Sequence, residues 1–330
     1  MEIRQAAQEW VRRILAPRED LRWEHPLPEA AAKEILALKK ESGFWALSLP
    51  EGEGGAGLSL EEEAAFWEEA HTSPLGLYGR SLLLAGEVPF PLQKDLSFVR
   101  ETLKEGRRTV TWLLSRPFQE GPHPVLVPSR WDWLFLWHPA EGGVLLSKEG
   151  ALLGKKLEPT MGSSFLLELR GDEQGDTFPP REEGDLWVAR QQILLAAGAL
   201  GAARRSLLES LPYTQTRQTF KAPLSQRQAI QWLLAASAKE METARALLGQ
   251  AFRDPLSYGS LAKAWAVDVA LRAVDRTIQI FGGSGYTKEL PYEEYWRELR
   301  LYRHLLGDHQ EVLKALGQKE KASLLKEAKP

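Results

Sequence analysis

Three long segments with helical periodicity constrain the fold of this chain more than any other feature. They cover roughly residues 185–210, 223–251 and 256–281, and these lengths suit an antiparallel helical bundle. Shorter helical patterns over residues 292–304 and 310–316 follow them. We therefore expect the C-terminal part of the chain to be a helical bundle.

The spacing of apolar residues changes twice before this bundle. The first hundred or so residues have helical patterns, whereas short strand-like runs divided by Gly, Pro and Asp begin near Thr109. The polar stretch 171–184, which contains Pro179-Pro180, is typical of a linker. We predict a mainly α protein with three domains: a helical N-terminal domain (1–108), a small central antiparallel β-barrel or sandwich (109–184) and the C-terminal antiparallel helical bundle (185–330).

Local signals predict helix boundaries in the N-terminal domain. A helix that begins near Pro28 should end at Gly43. After a glycine-dense loop, Ser59 with Glu62 three residues later forms a capping box that would begin a helix over Leu60–Ala70. Further helical patterns cover residues 75–84 and 95–103.

Composition excludes several classes of protein. A net charge of −3 argues against a general nucleic-acid or membrane-surface binder. The longest apolar run, residues 193–203, is too short to span a bilayer, and the polar N-terminal sequence shows no secretory signal, so we expect a cytoplasmic protein. The absence of cysteine excludes disulfides and thiolate chemistry, and the 6 histidines show no metal-ligand spacing.

Residue usage also suggests a thermophilic source. The chain lacks asparagine and cysteine and is dense in Glu, Lys and Arg. High-GC codon bias would produce part of the same composition.

A glycine-rich sequence, Gln279-Ile-Phe-Gly-Gly-Ser-Gly-Tyr286, ends the third long helical segment. Glycines remove side chains where a large, flat group must approach the backbone, although a plain helix stop is the alternative interpretation. Together with Arg217-Gln-Thr-Phe220 and Pro223-Leu-Ser-Gln-Arg-Gln-Ala-Ile-Gln231, this sequence resembles the acyl-CoA dehydrogenase family. The resemblance covers most of residues 1–75 and 185–316.

The resemblance implies a tetramer, or dimer of dimers, in which the bundle of one subunit completes the FAD site of its neighbour. Carried onto this chain, Arg217 would meet the FAD pyrophosphate, whose charge suits a guanidinium fork. Phe220 would pack against the cofactor, and Gln279 with Gly282 and Gly283 would approach its ADP part. Without the resemblance, Arg217 could be a solvated charge at a helix end, Phe220 a core aromatic residue and Gln279 a surface amide.

The chain departs from the family at both positions where a catalytic carboxylate is found. Leu306 replaces the Glu that usually precedes Gly-Thr, and Gln191 holds the position that a subset of the family uses instead, beside Gln192 in place of a substrate-orienting Arg. Neither Leu nor Gln can accept the α proton of an acyl thioester. Asp308, in the position of a flavin-contacting Thr, is either a displaced base or the N-cap of the next helix. The catalytic residue is therefore unassigned.

Other departures concern the flavin itself. Lys221 replaces the Gly that usually follows Phe220, and Glu294 stands where a basic residue is common. The β domain has no counterpart of the Thr-Glu-Pro…Gly-Ser-Asp loop or of the Trp-Ile-Thr/Ser segment that surround the isoalloxazine in the family.

These observations leave three functions open. The first is an auxiliary subunit of a flavin-dependent acyl-CoA dehydrogenase assembly, which completes a related partner's FAD site while that partner supplies the flavin pocket and the base. The second is a self-sufficient FAD-dependent acyl-CoA dehydrogenase with a displaced base. The third is a non-enzymatic, homo-oligomeric binding or scaffold protein.

Overall fold

The computed structural model describes residues 2–23, 27–78, 107–128, 130–152, 158–160 and 164–327. The predicted helix 95–103, and the part of the predicted helix 75–84 beyond Tyr78, lie outside the described residues. Within the described ranges the protein is mainly helical with a small central β region, which confirms the predicted fold class.

The described part of the N-terminal region is helical, as predicted. Its helices are α1 (Glu2–Trp10), α2 (Glu29–Glu41), α3 (Leu60–Ala70) and α4 (Pro74–Tyr78), with a π-helical turn at Val11–Leu15 and a 3-10 stretch at Ala16–Trp23. The predicted capping box is confirmed: Ser59 Oγ accepts a hydrogen bond from the Glu62 N–H at 3.3 Å, and the Glu62 carboxylate accepts one from the Ser59 N–H at 2.9 Å. This cap fixes the first turn of α3.

The central region is a small two-sheet sandwich. Its elements are β1 (Thr109–Leu113), β2 (His123–Pro128), β3 (Trp133–His138), β4 (Gly142–Ser147), α5 (Lys148–Leu152), β5 (Glu158–Pro159), β6 (Ser164–Leu169) and β7 (Asp176–Phe178). One sheet has the order β1-β3-β4-β7 and the other the order β2-β6-β5. Buried side chains of both sheets, such as Val125, Leu134 and Leu167, belong to one apolar core.

Two expectations for this region were wrong in part. β1 pairs with β3 in parallel, with Thr109 opposite Trp133, although the remaining pairs are antiparallel. The parallel pair arises because β2 belongs to the other sheet, so the chain crosses over before it enters β3. In addition, the predicted linker 171–184 contains β7, an edge strand of 3 residues that is too short to show an alternating pattern.

The C-terminal region is the predicted bundle. Its elements are α6 (Glu182–Thr216), β8 (Gln218–Thr219), β9 (Ala222–Pro223), α7 (Gln228–Arg253), α8 (Pro255–Phe281), α9 (Gly283–Tyr286), α10 (Tyr292–Tyr302) and α11 (His309–Glu327). The predicted ends at residues 210 and 316 were too early. α6 continues past Pro212 because Tyr213 stacks on Phe281 of α8. α11 continues through Gly317, because a glycine inside a helix costs only about 1 kcal/mol.

α6 lies at the centre of the molecule. Every residue from Trp187 to Ala203 is buried, and α3 and α8 pack against this segment. Small residues bring the backbones close together: a Cβ atom at Gly201 would lie 2.0 Å from the Glu68 carbonyl oxygen of α3, and one at Gly259 of α8 would lie 3.0 Å from the Ala189 carbonyl oxygen. The apolar run of α6 is therefore a buried core helix. Among the described residues, no helix is both long and apolar enough to cross a membrane.

We expect Gly201→Ala to destabilise the protein by about 1–3 kcal/mol, because the added methyl group would force α3 and α6 apart. Gly249→Ala is the matched control on α7, where a Cβ atom would meet nothing within 4 Å. That variant should be neutral or more stable by up to about 1 kcal/mol, since alanine favours helices over glycine. Urea unfolding followed by circular dichroism measures both changes, and equal effects would contradict the close approach of α3 and α6.

Candidate functional site

The C-terminal ends of α6 and α8 meet at one end of the bundle. α7 returns the chain between them, so α6 and α8 run in the same direction. The Tyr213 and Phe281 rings stack with their centroids 4.2 Å apart, which joins the last turns of the two helices. Arg217 follows α6 directly, and Gln279 lies in the last turn of α8. The two parts of the predicted cofactor surface therefore lie at the same end of the bundle.

All the residues predicted to contact the cofactor are exposed in the protomer. The Phe220 side chain is 94% exposed, and Arg217, Gln279, Gly282 and Gly283 are also exposed. Gly282 has a φ of +64°, a backbone conformation that favours glycine. A Cβ atom built at Gly282 or at Gly283 would meet nothing within 4 Å. None of the described residues therefore covers the backbone of either glycine.

A strained hairpin turn carries Phe220. Phe220 and Lys221 link β8 to β9 with φ values of 49° and 63°, the two consecutive left-handed residues of a type I′ turn. Arg227 supports this turn, because its guanidinium donates a hydrogen bond to the Thr219 carbonyl at 2.5 Å and lies 5.8 Å from the Phe220 ring. The turn presents the Phe220 ring to solvent.

The two positions that lack a carboxylate converge on one small cavity. Gln191 of α6 and Leu306, after α10, line it together with Trp67, Val110, Thr111, Leu195 and Leu305. Its volume of ≈ 20 Å³ is room for about one water molecule. The structure thus brings the two positions together, in a space that uncharged side chains fill.

Hydrogen bonds from two buried side chains hold the loop at Leu306. Gln192 Nε2 donates to the Leu306 carbonyl at 2.8 Å. Lys263 Nζ donates to the Leu305 carbonyl at 2.6 Å and also to the Gly307 carbonyl. Leu306 itself has a φ of 53°, so these bonds fix a left-handed backbone. Sequence reasoning missed Lys263, because a lysine within a helical pattern is usually exposed.

Asp308 caps the next helix, as one of the two interpretations expected. Its Oδ1 accepts a hydrogen bond from the Gln310 N–H at 2.8 Å, and its Oδ2 lies 2.9 Å from His304 Nδ1. Burial alone would raise the pKa of Asp308, but the bonds from Gln310 and His304 hold this pKa below its usual value. A carboxylate with a lowered pKa is a weak proton acceptor, which argues against Asp308 as a displaced base.

A larger cavity of ≈ 380 Å³ lies between the sheets and the start of α11. Its walls are mostly apolar, and the polar residues that line it are Ser115, His123, His304 and Asp308. His123 Nε2 already bonds to the Phe118 carbonyl at 2.9 Å. A flavin ring needs several hydrogen-bond partners for its nitrogen and oxygen atoms. The described residues that line this cavity provide few such partners, so the cavity does not fit a flavin ring. The exposed end of the bundle instead suits the phosphate-bearing part of a dinucleotide.

We expect the stability difference between the wild type and Lys263→Met to grow as the pH rises from about 7 toward 10.5. Burial lowers the pKa of Lys263 from 10.5 to about 7, against the attraction of Asp308. Between these two values the unfolded chain binds more protons than the folded one, so the wild type gains up to about 1.4 kcal/mol per pH unit. Urea unfolding between about pH 7 and pH 10.5 measures this stability difference. Lys239→Met, at an exposed lysine, is the control. A pH-independent difference would contradict the lowered pKa.

Lys221→Gly should stabilise the protein by about 0.5–1 kcal/mol. Glycine avoids about 1–2 kcal/mol of left-handed strain, and its greater freedom in the unfolded chain offsets about half of that gain. Ala222→Gly is the control, because Ala222 has no left-handed φ. Thermal unfolding should rank the two variants in opposite directions, and a destabilised Lys221→Gly would show that the turn is not strained.

Two family profiles match the chain. The acyl-CoA dehydrogenase N-terminal domain matches residues 1–85, and the acyl-CoA dehydrogenase C-terminal domain matches residues 188–319. The second match contains most of the bundle, with every predicted cofactor residue and the loop at Leu306.

Curated relatives match over about a third of the chain. A mitochondrial isobutyryl-CoA dehydrogenase of Dictyostelium discoideum is 33% identical over 123 residues, which are 35% of this chain and 30% of that protein. A probable acyl-CoA dehydrogenase of Bacillus subtilis, YngJ, is 39% identical over 116 residues, 33% of this chain and 30% of that protein. The aligned segment thus spans under a third of these relatives.

Solved structures match over almost the whole chain. Glutaryl-CoA dehydrogenase from Mycobacterium smegmatis superposes with a TM-score of 0.79 at 18% identity, covering 97% of this chain and 94% of that one. The ChsE4-ChsE5 complex from Mycobacterium tuberculosis gives a TM-score of 0.77 at 18% identity, covering 97% and 96%. At identities this low, the superpositions establish only that the fold is shared.

The acyl-CoA dehydrogenase family generally binds FAD. With both family profiles matched and the fold shared, this chain belongs to the acyl-CoA dehydrogenase family.

Proposed function

We propose that this chain is an auxiliary subunit of a flavin-dependent acyl-CoA dehydrogenase assembly. It completes the FAD site of a related partner subunit through Arg217, Phe220, Gln279, Gly282 and Gly283. The partner supplies the flavin-ring pocket and the catalytic carboxylate. The observation that carries the proposal is a contrast: these residues are exposed together at one end of the bundle, while the carboxylate positions Leu306 and Gln191 line a cavity of only ≈ 20 Å³.

Chemistry at the exposed end supports a role toward the ADP half of FAD. The Arg217 guanidinium can donate two parallel hydrogen bonds to a phosphate, and glycines at 282 and 283 let a ligand reach the backbone. Phe220 offers an apolar ring on a turn that Arg227 supports. A side chain that is 94% exposed gains little within its own protomer, so contact with a neighbour explains its position better.

The side chains that line the ≈ 20 Å³ cavity argue against dehydrogenation by this chain alone. Removal of an α proton needs a base within hydrogen-bond reach, and the described lining residues, Gln191 and Leu306 among them, contain none. An acyl chain also needs more room than one water molecule. The self-sufficient enzyme, our second hypothesis, would therefore need a base and an acyl pocket other than those at this small cavity.

Assembly with a different subunit has a parallel among the structural relatives. One of them is a complex of two named components, ChsE4 and ChsE5. We infer that a similar pairing, of this chain with a relative that carries the usual Glu, joins the two halves of a working site. The scaffold hypothesis makes the opposite prediction, a homo-oligomer without affinity for FAD.

The test is FAD binding by the co-purified assembly. We expect Arg217→Ala to weaken FAD binding by the mixed assembly about 10-fold to 100-fold, because a hydrogen bond between charged groups contributes about 1.5–3 kcal/mol. Arg253→Ala is the matched control, since Arg253 is exposed at the opposite end of the bundle, where α7 ends. Titration of the stripped assembly with FAD, followed by flavin fluorescence, measures both variants.

Three outcomes would overturn the proposal. The first is a partner that binds FAD equally well without this chain. The second is an Arg217→Ala assembly with wild-type affinity. The third is a purified chain that alone binds FAD and reduces an electron acceptor with acyl-CoA, which would establish the self-sufficient enzyme.

A further inference from the structure

A histidine and an aspartate form an oriented pair at the larger cavity. His304 Nδ1 lies 2.9 Å from Asp308 Oδ2, and the other carboxylate oxygen of Asp308 accepts the Gln310 N–H at 2.8 Å. The carboxylate is therefore fixed by the helix that it caps and holds the imidazole through Nδ1. This arrangement leaves Nε2 as the nitrogen that can accept a proton.

The surroundings of this pair suit an acyl group. Both residues line the ≈ 380 Å³ cavity, whose apolar walls include Leu113, Leu126 and Leu166. The His304 and Asp308 side chains are 58% and 42% exposed, so water reaches the pair. An apolar cavity with a few converging polar groups at its edge is the usual form of a small-molecule site.

We propose that this cavity hydrolyses activated acyl esters, with oxygen or sulfur leaving groups, and that His304 is the general base. His304 Nε2 takes a proton from a water molecule, whose oxygen adds to the acyl carbon. The tetrahedral intermediate then releases the leaving group as the carbon–oxygen or carbon–sulfur bond breaks. His304 returns the proton to that group, so the products are a carboxylic acid and an alcohol or thiol. No oxidant is required.

Water, rather than Ser115, is the nucleophile in this proposal. Ser115 lines the same cavity, but no hydrogen bond joins it to His304, although both residues are among those the structure describes. A serine nucleophile would need such contact with its base. The Ser115 hydroxyl can instead donate a hydrogen bond to the oxygen that becomes negative.

This activity is independent of the proposed auxiliary role. It uses the cavity between the sheets and the bundle, and neither Arg217 nor Phe220 lines that cavity. It also needs neither FAD nor a partner, so its failure and the failure of the auxiliary role are separate results.

The test uses the full chain, free of partner and flavin, with p-nitrophenyl butyrate and butyryl-N-acetylcysteamine as substrates. We expect saturable hydrolysis that His304→Gln reduces at least about 100-fold in kcat/KM, the lower end of general-base catalysis. In Asp308→Asn, the asparagine can still cap α11, so thermal stability should be preserved. Because asparagine carries no charge to pair with His304, kcat should fall. His138→Gln, outside the cavity lining, is the matched control and should retain full activity.

A second variant tests the cavity itself. Leu166→Trp adds bulk to the apolar wall and should raise KM for the butyryl substrates. No hydrolysis above the buffer rate by the wild type, or equal rates for His304→Gln and His138→Gln, would overturn the proposal. Unchanged KM in Leu166→Trp would show that the acyl group binds elsewhere.

Discussion

Close packing of α6 against α3 and α8 forms the centre of the described structure. It depends on small residues, because a methyl group at Gly201 would meet the Glu68 carbonyl at 2.0 Å and one at Gly198 would meet the His71 ring at 2.9 Å. His71 extends the contact to α10, since its Nε2 lies 2.9 Å from the Tyr302 hydroxyl and its Nδ1 lies 2.8 Å from the Trp67 carbonyl. One buried helix therefore positions both the exposed end of the bundle and the loop at Leu306.

Loss of the carboxylates and closure of the small cavity are linked by the cost of burying charge. An ionised carboxylate in an apolar space needs a charged partner or room for water. Leucine at 306 and glutamine at 191 impose no such requirement, so side chains fill the space to ≈ 20 Å³. The loop that the family uses for catalysis is here held by Lys263 and Gln192 through its carbonyl groups.

The other part of the predicted site is open within the part of the chain that the structure describes. Phe220, Trp232 and Tyr286 are 94%, 66% and 78% exposed, although large aromatic side chains are normally buried at least in part. The type I′ turn at Phe220 and Lys221 uses two residues that disfavour left-handed backbone, and Arg227 supports it. Strain and apolar exposure in one place indicate a surface for contact with another molecule.

The sequence by itself determined the fold class, the capping box at Ser59, most strands and the family, because these follow from periodicity and from motifs of adjacent residues. Residue identity also established that Leu306 and Gln191 cannot act as bases. Tertiary structure alone decided that these two positions line one small cavity and that β1 pairs with β3 in parallel. It also placed His304 and Asp308 at the edge of a larger cavity. It also decided that Lys263, in a segment whose sequence shows only helical periodicity, is buried against the loop. The reason is physical: periodicity reports which face of an element is apolar, whereas the partner of a buried polar group depends on which distant backbone packs against it.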